Sequence, residues 1–161
     1  PGLRMTTPEN VPEEKGRILA LDLGQKRVGV AICDELLISI TRLNPILRTN
    51  WKHLLANVAQ LIQQHDVKTL VIGLPLSLDG TTASAAVATS QTAGNFARSL
   101  SIPVFLQDER LTSVAAAEQL REAGHNPTEV EQLIDSEAAA IILADFLGSQ
   151  TKTLVSPGES D

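Results

Sequence analysis

Residues 17–33 read RILALDLGQKRVGVAIC. The apolar run Arg17–Leu23 ends next to an acid, Asp22, and the β-branched run Arg27–Cys33 follows it after only Gly24-Gln25-Lys26. Two strand-like runs joined by so short a glycine-containing turn make an antiparallel hairpin. A third strand is expected near Leu37–Leu43, with Asn44-Pro45 ending it. Trp51–His65 places apolar residues at 51, 54, 55, 58, 61 and 62, which is helical spacing. Lys68–Gly73 reads as a short buried strand closed by Pro75, and Gly73-Leu74-Pro75 and Asp79-Gly80 as turn chemistry.

Beyond this point strands alternate with helices. Thr82–Leu100 is alanine-rich and helical, and Pro103–Leu106 is the next strand. Thr112–Ala123 is a helix with Thr112 or Ser113 as N-cap and Gly124 as its stop. A last helix starts at Asn126-Pro127-Thr128-Glu129 and runs to about Leu147. Alternation forces parallel crossovers with helices on the sheet faces. The expected product is α/β: a mixed five-stranded sheet, three antiparallel strands and then alternating strands and helices, covered by helices. The ribonuclease H-like fold leads among folds with this order at this size. Residues 1–16 read as a flexible arm, with Met5 as the natural start and the four residues before it vector-derived; 17–148 form the domain and 149–161 a tail.

Composition narrows the function. The chain has 161 residues, 43% of them hydrophobic and 20% charged. That is one domain, able to bury roughly 70% of its unfolded surface without disulfides or metal. No apolar run approaches the ~18 residues of a membrane span, and no signal peptide is visible. A single cysteine, Cys33, fits a reducing, cytoplasmic setting. With three Phe, one Trp and no Tyr, stacking of bases on an aromatic platform is a poor expectation. The net charge of −6 excludes a general basic coat, yet it is unevenly spread. Residues 118–145 hold seven acids and one base, whereas 17–52 hold six bases and three acids. A polyanion would be held by the first part and repelled by the second.

Three carboxylates resist the reading of acids as solvated surface. Asp22 and Glu109 each end a strand, where ligands of α/β sheets gather. Asp135 shares a helical stripe with Ala138, Ala139 and Ile142, which faces the sheet; Glu137 falls nearly opposite and is expected in solvent. Like charges 4 Å apart repel by about 4 kcal/mol at an effective dielectric of 20, so a cluster needs cations or protonation. All-oxygen ligation suits Mg²⁺ or Mn²⁺ rather than zinc. Two such ions about 3.5–4 Å apart serve phosphodiester hydrolysis, one activating water and one stabilising the leaving oxygen. Lys26, Arg27 and Arg110 would grip the strand to be cut, arginine through its planar donor fork; a salt bridge from Arg110 to Asp108 or Asp79 is the competing reading. His125 reads as a loop histidine, and His53 and His65 as surface residues.

The segments ALDLGQKRVGVAICD (20–34), VIGLPLSLDGT (71–81), Asp108-Glu109-Arg110-Leu111-Thr112, and Asp135 with its following AAAIIL resemble the YqgF family in its own order. The family's bacterial proteins are described as Holliday junction resolvases and as pre-16S ribosomal RNA nucleases. The resemblance implies a ribonuclease H-like fold and a metal-dependent nuclease whose catalytic acids correspond to Asp22, Glu109 and Asp135. It also implies structured RNA as the favoured partner, pre-16S rRNA in particular, with a DNA junction or the ribosome as further partners, a monomer or homodimer, and a bacterial cytoplasm. One departure stands out: the family often carries bases just before the last Asp, and Pro127–Ile134 has none. A non-catalytic RNA- or ribosome-binding module is the rival reading. An actin- or Hsp70-like ATPase would need a duplicated core for which there is no room.

Overall fold

The computed structural model describes residues 16–75, 83–109, 122, 124, 127–149 and 152–157, with 83, 109 and 127–136 described for their backbone alone. The elements in order are β1 (Arg17–Leu23), β2 (Arg27–Cys33), β3 (Ile40–Leu47), α1 (Trp51–His65), β4 (Val67–Pro75), α2 (Ala83–Ser99), β5 (Val104–Glu109), α3 (Pro127–Gly148) and β6 (Thr153–Leu154). They form one sheet of order β3-β2-β1-β4-β5-β6. Strands β1–β3 are antiparallel neighbours, β4 and β5 run parallel to β1, and β6 is antiparallel to β5. The expected arm over 1–16, apart from Gly16, and the expected helix at Thr112–Ala123, apart from Glu122, lie outside the described residues.

The sheet has six strands rather than five. The sixth falls within the segment read as a tail, where Val155 N–H also donates to the Val104 carbonyl (2.8 Å); two residues are too few to show a strand period. The third strand runs from Ile40 to Leu47 and continues through Asn44-Pro45 instead of stopping there. Proline is tolerated because β3 is an edge strand, and the β2–β3 register slips between Val28 and Val30. Strand β4 likewise passes through Gly73 to Pro75, so these residues are strand and not turn.

Strand alternation divides the core into two layers. Leu19, Leu21, Val28, Val30, Leu70 and Ile72 pack with Leu54 and Val58 of α1 and Ala93 and Phe96 of α2. Trp51 meets Phe96 edge-on at 4.8 Å. Ile18, Ala20, Ala31, Val71 and Phe105 pack on the other face against Ala139, Ile142, Leu143 and Phe146 of α3. Alanines at 138–140 are all buried, so α3 comes close to β1 and β2. Asn50 caps α1 by accepting the His53 N–H (2.9 Å). Arg17 donates to the His65 carbonyl at the other end of that helix (3.1 Å).

Glu137 departs from expectation. It is 3% exposed, and its carboxylate accepts from Arg42 Nε of β3. Helix α3 lies over β3 as well as β1 and β2, so the side of α3 away from Asp135 is covered and carries its own cation. None of the helices among the described residues is long and apolar enough to cross a membrane.

Candidate active site at one edge of the sheet

Because β1, β4 and β5 are parallel, Asp22 and Glu109 come to the same edge of the sheet, at the carboxyl ends of their strands. Asp22 belongs to the series 18, 20, 22, and Ile18 and Ala20 of that series pack against α3. Position 109 belongs to the series 105, 107, 109, and Phe105 packs on the same face. Only β4 separates the two strands. Strand spacing and rise put the two Cα atoms about 12 Å apart. Position 135 falls on the helical stripe of Ala138, Ala139 and Ile142, and those three residues are buried. The fold thus brings the backbone positions of Asp22 and Glu109 to one edge and one face, and lays over that face the helix that carries Asp135.

Asp22 is half-buried, and its neighbours across the sheet carry no side chains. On β2 it pairs with Gly29. One step beyond the paired residues Leu21 and Ile72, its level on β4 is Gly73, which in turn pairs with Gln107 of β5. Both glycines are buried although they carry no side chain, which marks a place where another group comes close to the backbone of the sheet. The donor set of three carboxylates, without cysteine or histidine among them, fits a hard divalent cation. Among the described residues no three His, Cys, Asp or Glu side chains gather into a metal site; the side chains of Glu109 and Asp135 are outside that set.

The hairpin turn beside Asp22 is pinned from β3. Gly24 N–H donates to the carbonyls of Asp22 (3.0 Å) and Arg27 (3.1 Å), and Arg48 N–H donates to the Lys26 carbonyl (2.9 Å). The Arg48 guanidinium donates to the Gly24 carbonyl (2.9 Å). Every one of these bonds falls within five residues of Asp22 or on Arg48. Lys26 is exposed in this turn and Arg27 opens β2 half-buried, so both stand at the edge that Asp22 occupies. Arg110 and His125 lie outside the described residues. Arg48 is the residue that reading the sequence passed over: its role depends on β3 reaching Leu47, and the expected end at Leu43 hid it.

Comparison with known proteins agrees with this architecture. A protein of Gloeothece citriformis named as a candidate pre-16S rRNA nuclease is 43% identical over 134 residues, covering 83% of this chain and 89% of that one. A Synechococcus protein of the same name is 39% identical over 132 residues, covering 82% and 89%. In structure, T. thermophilus RuvC, solved in complex with a Holliday junction substrate, superposes with a TM-score of 0.55 at 13% identity, covering 86% of this chain and 99% of that one; at that identity it establishes the ribonuclease H-like fold. Residues 16–149 match the family described as RuvX: Holliday junction resolvase, and the chain belongs to that family.

Proposed function

We propose that this protein is a metal-dependent nuclease that hydrolyses phosphodiester bonds of structured RNA, in maturation of the 5′ end of pre-16S rRNA. The observation that carries the reading is the arrival of Asp22 and Glu109 at one edge and face of the sheet. The names of its relatives support the substrate. Asp22, Glu109 and Asp135 would hold two Mg²⁺ or Mn²⁺ ions. When bound, such ions activate water and neutralise charge on the leaving oxygen. Gly29 and Gly73 put no side chain beside Asp22 at its level of the sheet. Lys26, Arg27 and Arg110 would hold the phosphates of the strand to be cut, Arg27 and Arg110 through their donor forks.

The test is cleavage of a precursor 16S rRNA fragment by the full chain with Mn²⁺, beside Asp22→Asn, with a four-way DNA junction as competing substrate. The expected result is discrete 5′-end processing of the RNA, lost in the variant, together with a metal-dependent rise in melting temperature that the variant also loses. Equal activity of both proteins would refute the assignment. Preferential, paired nicking of the junction would move the substrate to DNA.

A further inference from the structure

Residues 36–65, which form β3 and α1, contain no Asp or Glu, although the chain has nineteen acids. The bases in this stretch are Arg42, Arg48 and Lys52. Between β3 and α1 runs a groove of about 320 Å³. It is lined by the apolar Pro45, Ile46 and Leu61 and by the amides of Asn44, Asn57, Gln60 and Gln64 with His53. On α1 the polar residues 53, 57, 60 and 64 recur at helical spacing, so one face of the helix presents a continuous row of donors and acceptors. Asn57 and His53 are joined side chain to side chain (3.2 Å).

The groove starts at the active-site edge. Leu47, one of its lining residues, pairs with Arg27, and Arg48 next to it bonds the turn that follows Asp22. Lys52 precedes His53 at the first turn of α1. The groove lies on the α1 face of the sheet, opposite α3, so a polyanion held at the edge by Lys26 and Arg27 would pass round that edge by Arg48 and Lys52 into an amide-lined channel, with no carboxylate from β3 or α1 to repel it. Asn and Gln side chains pair with base edges through a donor and an acceptor at once. The groove's size suits one nucleotide and not a duplex, and base edges of RNA are open to side chains where the strand is unpaired.

We infer that this groove binds an unpaired nucleotide of the RNA strand that leaves the active-site edge, and so favours cleavage where a helix of the substrate gives way to single strand. The inference rests on the nuclease reading and adds a substrate feature to it. The test uses the full chain as Asp22→Asn and two labelled RNA hairpins, one blunt and one with a six-nucleotide single-stranded extension. Their binding is followed by fluorescence anisotropy without divalent ions. The extended hairpin should bind about tenfold or more tightly. Gln60→Leu with Gln64→Leu should erase that preference, with the loss confined to the extended RNA, and Gln60→Asn should restore part of it. Both glutamines are exposed, so melting temperatures should match the parent; if they fall, separate Gln60→Ala and Gln64→Ala variants repeat the comparison. Retention of the preference, equal loss for both RNAs, or no preference in the parent would overturn the inference, the last being the outcome if an extended peptide occupies the edge of β3. Cleavage assays of the wild type report separately on the nuclease reading: cleavage with an unchanged preference sinks the groove alone, and preference without cleavage sinks the nuclease alone.

Discussion

Arg42 of β3 and Glu137 of α3 form an ion pair whose two halves sit in different surroundings: the arginine side chain is 53% exposed and the glutamate side chain 4%. The carboxylate is thus out of water with an arginine that water still reaches. Removing one partner of a fully buried pair costs 3–5 kcal/mol because a lone charge stays behind. Here partial exposure of the site lowers that. Arg42→Met should destabilise by about 2–3 kcal/mol, seen as a lower urea midpoint. Arg42→Met with Glu137→Leu should recover most of the loss, since no buried charge remains. Failure of the double variant to recover would show that the pair holds α3 on the sheet through geometry and not through charge balance.

Arg48 ties the turn after Asp22 to the end of β3 through its backbone N–H and its guanidinium. The guanidinium bond is worth about 0.5–1.5 kcal/mol in stability. Its effect on cleavage should be larger than that, because it holds the backbone next to Asp22, the acid proposed to bind metal, and small displacements of reacting groups cost rate steeply. Arg48→Ala should lower kcat at least tenfold with a modest shift in Tm, and added guanidinium ion at low millimolar concentration should restore part of the rate. A variant with normal kcat would leave Arg48 a structural residue only.

What could be read from the sequence follows physical range. The β1–β2 hairpin was legible because both runs are buried on two faces and the turn is three residues long. Asp22 and Glu109 were legible as strand-end acids, and the stripe of Ala138, Ala139 and Ile142 as the inner face of α3. Strand β3 was misplaced because an edge strand tolerates Pro45, which elsewhere ends strands. Glu137 was misread because its partner is 95 residues away, and helical spacing reports only the helix's own neighbours. Gly73 reads as a turn in the sequence but lies in β4 at the level of Asp22; a glycine directly after the run Val71-Ile72 is the signal for this.

The β2–β3 connection is held by the carboxylate of Asp34. Asp34 accepts N–H bonds from Ile38 (2.7 Å) and Ser39 (3.3 Å), while Leu37, just before them, holds a left-handed φ of 62°. The Ile38 bond above all, with help from Ser39, holds the Asp34 carboxyl below its ordinary value near 3.8. A carboxyl lowered on folding contributes stability that is complete above its unfolded value and disappears as pH falls through its folded value. Asp34→Asn should therefore lose less stability than wild type between pH 7 and about pH 2, measured as urea midpoints at both. Parallel acid profiles of the two proteins would show that these bonds carry no charge-linked stability.

Cys33 provides a probe of the same region. It is 1% exposed, its Sγ accepts the Ile18 N–H (3.3 Å), and burial pushes its thiol above the ordinary value of 9.0. The thiol is therefore protonated and shielded at neutral pH. Alkylation by iodoacetamide should follow unfolding, remaining slow in buffer and complete in urea. Rapid labelling of the native protein would mean that the β2 end opens locally.

The glycines beside Asp22 allow the site to be closed without touching an acid. Gly29 pairs directly with Asp22, so a side chain there would stand next to the carboxylate on the face where α3 packs. Valine suits a strand backbone, so the cost of Gly29→Val falls on the space above the sheet rather than on strand formation. Cleavage should drop beyond the roughly 10–100-fold that loss of an outer-shell partner costs a metal site, and stabilisation by Mn²⁺ should weaken with it. The less bulky Gly29→Ala should lie between valine and wild type in both. If Gly29→Val cleaves normally while remaining folded by circular dichroism, the space beside Gly29 does not serve the proposed metal site, which would then lie on the β5 side of Asp22.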